Sequence, residues 1–249
     1  KPISVIYAPN FIGLSIDAVD LRDQDNKNVS VVAAMDGNGE GNALFETYNK
    51  TITAGGALLG AISSAKVHEN IAWVGRFNLN KNSINEFDVI KLADGRAFKD
   101  VAQSEIDTLG AKGYILLIKH IGRSGSYFND AYTAISETSD YAYIENNRTI
   151  DKAIRGCREF LLPSLNSPLY VNENGTLTED TIASFKNDAE RSLEVMERDG
   201  EVSAFSVTID PDQDVLSTSK LTIAIKIVPV GVARNIVVNI GFAVRVTGI

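Results

Sequence analysis

The order of patterns in the C-terminal half constrains the fold most, because two amphipathic helices are followed there by three alternating segments. The first helix is predicted over residues 148–162. Its inward stripe has four members at helical spacing: Ile150, Ile154, Cys157 and Leu161. Its outer face is charged: Asp151, Lys152, Arg155, Arg158 and Glu159. Asn147 or Thr149 is the expected N-cap, and Pro163 ends the helix because it disfavours helical geometry at the residue before it.

The second amphipathic helix is predicted from Thr178 to about Glu197. Thr178 is its expected N-cap, and Leu177 and Ile182 occupy the positions of a hydrophobic staple. The inward stripe is apolar throughout: Ile182, Phe185, Ala189, Leu193 and Met196. Gly200 is expected to stop this helix.

Three segments near the end of the chain alternate between apolar and polar residues, which predicts antiparallel strands at 205–209, 221–227 and 236–246. The apolar set of the third strand is Ile236, Val238, Ile240, Phe242, Val244 and Val246. A strand at the edge of a sheet exposes unpaired N–H and C=O groups, so we expect this set to contact another chain.

Helical and strand patterns alternate along the first half of the chain. Extended segments are predicted at 3–7 and 11–16, strands at 29–35, 71–74, 114–118, 131–135 and 141–144, a strand or an irregular piece at 84–92, and helices at 53–67 and 97–109. This alternation favours an α/β protein with a mixed sheet over residues 1–139. An α+β unit of two helices and three antiparallel strands follows over 140–249, and the two parts are able to pack as one body.

Charge and composition exclude several classes of partner. With 24 Lys and Arg against 32 Asp and Glu the formal charge is −8, and no basic run is present, so neither nucleic acid nor an anionic membrane is an expected partner. The apolar stretches are far shorter than the roughly 20 residues of a membrane span. Cys157 is the single cysteine and is expected to fill core. The chain starts at Lys1 without an initiator Met or leader, which predicts a trimmed or processed product.

Motifs that resemble nucleotide or calcium sites are incomplete. The glycine-rich loop 36–42 follows a strand but lacks the Gly-Lys-Ser/Thr ending of a phosphate loop, and Asp36 and Glu40 would repel phosphates. Calcium loops beginning at Asp36 or Asp210 lack the Glu required at the twelfth position. We therefore predict no cofactor and interpret both segments as turns.

Candidate catalytic residues are also isolated. His68 and Glu69 lack a third metal ligand, and Ser63, three residues before Lys66, lacks a second acyl-transfer motif. The remaining enzymatic alternative is a hydrolase that uses the loop 120–130, with His120 as base and Ser124 as nucleophile. This loop misses the Gly-x-Ser-x-Gly pattern, so no catalytic or metal-binding residue is predicted.

Three stretches of the C-terminal half carry a family resemblance. They are Asn-Arg-Thr-Ile-Asp-Lys-Ala-Ile-Arg at 147–155, Ser-Val-Thr-Ile-Asp at 206–210 and Lys-Ile-Val-Pro-Val-Gly-Val-Ala at 226–233. Together with the order helix, helix, strand, strand, strand, they resemble the C-terminal core domain of contractile tail sheath proteins of phages and phage-like injection machines. The upstream stretches 64–74 and 139–145 resemble a sheath-related family of bacterial prophages.

The resemblance implies a structural protein rather than an enzyme. It implies that many copies surround an inner tail tube protein, contact a baseplate and shorten without nucleotide hydrolysis. Assembly in the bacterial cytoplasm and a final place in a virion tail or phage-like particle are implied as well.

Sheath subunits are linked by terminal arms that add strands to neighbouring sheets, so the implied partners are other copies of this chain. No N-terminal arm is evident in the sequence. Besides the third strand, Arg155 and Arg158 on the charged helix face are candidate subunit contacts. A tube terminator or baseplate protein with a sheath-like core is the alternative.

Overall fold

The structure, a computed structural model, describes residues 3–11, 14–81 and 86–242. These ranges contain six α-helices: α1 (Glu40–Tyr48), α2 (Gly55–Ser64), α3 (Gln103–Ala111), α4 (Ile144–Leu161), α5 (Glu179–Arg198) and α6 (Val215–Thr218). They also contain nine strands: β1 (Val5–Tyr7), β2 (Val29–Val32), β3 (Ala34–Asp36), β4 (Ile90–Leu92), β5 (Tyr114–Ile115), β6 (Leu117–Ile118), β7 (Tyr127–Phe128), β8 (Val202–Thr208) and β9 (Ala224–Pro229). The prediction of a mixed α/β fold is confirmed.

A three-stranded parallel sheet with the order β1-β2-β5 forms the centre of the N-terminal part. Its middle strand is buried at Val31 and Val32, as expected for a strand covered on both faces. The predicted strand 29–35 changes partner at Ala33, because β3 pairs antiparallel with β4. The predicted strand 114–118 divides at Leu116 in the same way, and β6 pairs with β7.

Several short strand predictions are wrong in detail. Residues 71–74 form turns, because the Asn70 side chain accepts a hydrogen bond from the Ala72 N–H and so competes with extended pairing. The segments 131–135 and 141–144 form only isolated bridges. Residues 84–92 were predicted as a strand or an irregular piece. Ile90–Leu92 form a strand, residues 86–89 are irregular, and residues 84 and 85 lie outside the described ranges.

The helix predictions hold better than the strand predictions. The predicted helix 53–67 is confirmed as α2, and the predicted helix 97–109 is split into a 3₁₀ turn at Phe98–Asp100 followed by α3. The pattern did not predict α1, which begins inside the glycine-rich loop. In the described ranges, no helix is both long and apolar enough to cross a membrane.

The helix α4 starts earlier than predicted, at Ile144, so Asn147 and Thr149 lie inside it and neither is its N-cap. Asn147 is buried and donates from its side chain to the carbonyl oxygens of Lys27 and Tyr141 at 3.1 and 2.9 Å. The inward face is therefore rotated from the predicted stripe, and Ile154 is 57% exposed. Cys157 is buried, as predicted.

The helix α5 has the predicted form. The Thr178 side chain accepts a hydrogen bond from the Thr181 N–H at 3.3 Å. The predicted stripe is buried at Ala189, Leu193 and Met196, which pack with α4 and β8. Gly200 follows the helix with φ +70°, the left-handed geometry that glycine tolerates.

In the part of the chain that the structure describes, the C-terminal sheet has two strands where three were predicted. Strands β8 and β9 pair antiparallel from Val202↔Pro229 to Thr208↔Ala224. Residues 236–242 form no strand, so the third-strand prediction is wrong for this part. Their backbone groups make no hydrogen bond to the backbone of another described residue. Val244 and Val246 lie outside the described residues.

Candidate assembly interface

The most unusual surface is the C-terminal segment, which we define as residues 230–242. Five of its large apolar side chains are at least 71% exposed: Ile236, Val237, Val238, Ile240 and Phe242. Scattered exposed apolar residues are normal on a protein surface, whereas several close together in one segment are typical of interaction sites. The third-strand residues predicted as contacts are thus exposed as far as Phe242.

This segment is held to the rest of the chain mainly through one side chain. Its only backbone hydrogen bond among the described residues is internal, from the Arg234 N–H to the Val232 carbonyl at 3.1 Å. The Arg234 guanidinium, however, donates to carboxylate oxygens of Asp130 and Glu145 at 2.8 and 2.6 Å. The chain therefore leaves β9, crosses to the N-terminal part and is fixed there at Arg234.

A groove lies between α4 and the free edge of β9. Its apolar lining comes from both elements: Ile150, Ala153, Ile154, Cys157, Ile225 and Ile227. The groove encloses about 460 Å³. Within the described residues β9 pairs only with β8, so its other edge presents unpaired backbone groups beside an apolar surface. Such an edge is able to accept an additional strand.

The two arginines predicted as subunit contacts lie on the outer face of α4. Arg155 and Arg158 are exposed, and neither side chain makes a hydrogen bond or ion pair with another described residue. Arg155 also lines a second cleft, with Lys27 and Arg148. Their role in contacts between subunits stays a prediction.

The hydrolase alternative finds no support in the loop geometry. His120 and Ser124 are both exposed, and no hydrogen bond joins their side chains. The His120 ring instead packs against Tyr127 with the ring centroids 5.4 Å apart. The Tyr127 hydroxyl donates to the Ser124 carbonyl at 2.8 Å. These contacts shape a loop and do not activate a nucleophile.

The other dismissed motifs are structural as well. Asp36 accepts hydrogen bonds from the N–H groups of Asn38 and Phe87 at 3.2 and 2.9 Å, which ties the glycine-rich loop to a neighbouring turn. Glu69 accepts from the Lys66 N–H at 2.7 Å and pairs with Arg76. No group of three or more His, Cys, Asp or Glu side chains suitable for a metal ion occurs in the described ranges.

Sequence reasoning missed the residues that bind Arg234. Burial raises the pKa of Glu145 to about 7, while the Arg234 charge and a hydrogen bond from Asn70 act against that rise. Arg234 and Asp130 are 104 positions apart, and Asn70 and Glu145 are 75 apart. No periodic pattern connects such positions. The only signal was a lone Arg directly after the apolar stretch 226–233.

Solved structures with a similar fold come from contractile injection systems. One is the anti-feeding prophage baseplate, with 15% identity, a TM-score of 0.60, and coverage of 96% of this chain and 60% of that chain. Another is the contracted sheath complex of the extracellular contractile injection system PVC, with 12% identity, a TM-score of 0.62, and coverage of 96% and 64%. A third is the sheath tail protein from Listeria innocua, with 12% identity, a TM-score of 0.54, and coverage of 92% and 49%.

These likenesses confirm the resemblance to sheath proteins at the level of the fold. The chain spans less than two thirds of the length of each of these structures. A search of curated proteins found no match. One family model, described as the N-terminal domain of DUF2586, matches residues 15–132, and a second, described as its C-terminal domain, matches residues 140–247. Because the two models together span most of the sequence, the chain belongs to the DUF2586 family.

Proposed function

We propose that this protein is a structural subunit of a contractile tail sheath that assembles with copies of itself around an inner tube. The observation that carries the proposal is the exposed apolar C-terminal segment, which has no strand partner among the described residues of its own chain. The fold likeness to sheath and baseplate structures supports the same role.

The free edge of β9 is the proposed acceptor for this segment. A two-stranded sheet is marginal by itself, and a third strand would complete the C-terminal unit. Addition of an extended strand pairs the backbone groups of the edge and places alternate side chains in pockets. The side chains of Ile236, Val238 and Ile240 alternate as such a strand requires, and the groove beside β9 is apolar.

The acceptor and the donor are proposed to belong to different copies. In the single chain the segment is fixed at Arg234, near Asp130 and Glu145, and its residues 236–242 stay exposed. Burial of each large apolar side chain is worth about 1.5–3 kcal/mol, so several of them are sufficient to drive association.

The proposed role is mechanical rather than catalytic. A sheath of this kind stores free energy in its extended assembly and shortens without nucleotide or cofactor. The proposed partners are an inner tube protein and a baseplate, with neither nucleic acid nor membrane bound. Assembly would take place in the bacterial cytoplasm before the subunits become part of a tail-like particle.

Substitution within the C-terminal segment tests the proposal. Ile240→Asp places a charge on an exposed side chain of the segment, and Ile121→Asp makes the same change at another fully exposed isoleucine outside it. We expect concentrated wild-type protein and Ile121→Asp to form ordered assemblies in negative-stain electron microscopy, and Ile240→Asp to stay monomeric. Wild-type protein that stays monomeric at high concentration, or an Ile240→Asp variant that assembles normally, would overturn the proposal.

A baseplate or tube-terminator role is the second candidate, favoured by the likeness to the anti-feeding prophage baseplate. The same micrographs separate the two roles. A sheath subunit is expected to form tubes of variable length, because its contacts repeat along the axis. A baseplate or terminator protein is expected to stop at a single closed ring.

A further inference from the structure

Three residues of the N-terminal part and of the start of α4 form a buried polar cluster, which we call the acidic socket: Asn70, Asp130 and Glu145. Each is only 3% to 6% exposed. The Asn70 amide donates to Asp130 Oδ1 at 2.6 Å and to Glu145 Oε1 at 2.9 Å. Its carbonyl accepts from the Ala72 N–H at 2.7 Å, which fixes the direction of the amide. The socket is therefore organised by residues outside the C-terminal segment.

Arg234 fills the socket with a geometry suited to a planar cation. Its Nε bonds Asp130 Oδ2 at 2.8 Å and its Nη2 bonds Glu145 Oε1 at 2.6 Å. The Tyr143 ring lies against the guanidinium, with 3.5 Å between Cζ and the ring centroid. A planar fork that stacks on an aromatic face is a property of guanidinium and not of ammonium.

The socket favours a cation. Asp130 and Glu145 are two buried carboxyl groups that share the Asn70 amide as a donor, and Asp130 Oδ1 also accepts from the Ala131 N–H at 2.8 Å. These donors are neutral, and among the described residues Arg234 is the positively charged group that pairs with both carboxyl groups. Glu145 Oε2 is buried and has no hydrogen-bond partner among the described residues, so it is free to accept a further hydrogen bond from a ligand N–H. A cleft of about 900 Å³ borders the site, and a ligand could enter through it.

We propose that the acidic socket is a guanidinium-binding site whose internal ligand is Arg234, so that its occupancy decides whether the C-terminal segment lies on its own subunit or is free. This inference goes beyond the proposed assembly role, because it describes the unassembled subunit. It follows from the attachment of the segment, whose other residues make no hydrogen bond to the rest of the described chain.

Chemical rescue tests the site. In Arg234→Ala the socket is empty, and we expect millimolar guanidinium chloride to raise the melting temperature above that in the same concentration of ammonium chloride. The control is the triple variant Arg234→Ala, Asp130→Asn, Glu145→Gln, which has no socket charge and should show no such difference. Equal effects of the two salts on Arg234→Ala would overturn the binding site.

A mobility measurement tests whether Arg234 in the acidic socket holds the C-terminal segment on its own subunit. A spin label at Asn235→Cys reports on the segment, since Asn235 lines the cleft next to Arg234 and the native Cys157 is buried. We expect the label to be immobile in the protein that keeps Arg234 and mobile in the protein that also carries Arg234→Ala. Guanidinium should leave the label mobile, because it fills the socket without carrying the segment.

If the label is equally mobile with and without Arg234→Ala, Arg234 does not hold the segment in place. This conclusion stands even if guanidinium chloride raises the melting temperature of Arg234→Ala. Both measurements use the unassembled subunit, so their outcome is independent of whether tubes form. Arg234→Lys is expected to fall between wild type and Arg234→Ala in melting temperature, since it restores charge without the planar fork.

Discussion

At the scale of single residues, Glu145 has the most consequential environment. Its burial favours the protonated form, so its pKa is raised from 4.5 to about 7 despite the nearby Arg234. Between these two pH values the folded state binds more protons at this site than the unfolded state. The contribution of Glu145 to the free energy of unfolding therefore falls as pH rises through this range.

Glu145→Gln should remove this dependence. We expect the wild type to lose stability relative to Glu145→Gln as pH rises from 4.5 to about 7, by up to about 1.4 kcal/mol per pH unit. Urea unfolding of both proteins between pH 4.5 and about 7 measures the difference in their free energies of unfolding. The contributions of titratable groups that both proteins share cancel in this difference. A difference that is constant with pH would show that the environment of Glu145 is not as described.

At the scale of elements, the close approach of α4 and α5 depends on Gly156. A Cβ at this position would lie 2.9 Å from Ser192 Cβ, closer than such atoms approach. We expect Gly156→Ala to destabilise the protein by ~1–3 kcal/mol, because the overpacking outweighs the gain in helix propensity. Gly60→Ala in α2 is the matched control, since an added Cβ there meets no atom within 4 Å.

Gly60→Ala should stabilise the protein by about 0.5–1 kcal/mol through helix propensity alone. Thermal unfolding of the two variants and the wild type gives the sign of each change in stability. The same sign for both would contradict the packing described for α4 against α5.

The helices were also the elements that sequence predicted best. In α5 the cap Thr178, the stripe with Leu193 and the stop at Gly200 are local signals, and all three are confirmed. Residues 236–242 alternate just as clearly, yet they form no strand in the single chain. Alternation fixes which side chains share a face, whereas a strand also needs a partner edge, and that is not encoded locally.

The same limit applies to the candidate interface and to the acidic socket. The charged helix face with Arg155 follows from local pattern and was predicted. Ile240 was predicted as a subunit contact within a third strand, and that contact stays a prediction. The acidic socket was not predicted, because Asn70, Asp130 and Arg234 meet only through tertiary folding. Buried polar contacts between distant positions leave no periodic trace in a single sequence.

At the scale of the whole molecule, the structure divides into parts with separate apolar clusters. Two clusters lie in the first 144 residues, and two others are formed by α4, α5, β8 and the segments around them. The boundary predicted between residues 139 and 140 stays a prediction. The C-terminal segment connects the two parts by running from β9 to Asp130 and Glu145.

The central claim is that residues 236–242 of one copy pair with the β9 edge of another. Two single-cysteine proteins test it most directly: Ile240→Cys on the donor segment and Val228→Cys on β9, both exposed positions, each in a Cys157→Ser background. The proteins are mixed at a concentration that gives assemblies and treated with a short bifunctional thiol cross-linker. Ile121→Cys replaces Val228→Cys in the control mixture.

We expect cross-linked dimers that join Ile240→Cys of one chain to Val228→Cys of another, identified by mass spectrometry of the linked peptides. The control mixture should give few linked dimers, because Ile121 lies outside the proposed contact. Equal cross-linking in the two mixtures, or assemblies without a link between the segment and β9, would contradict the account.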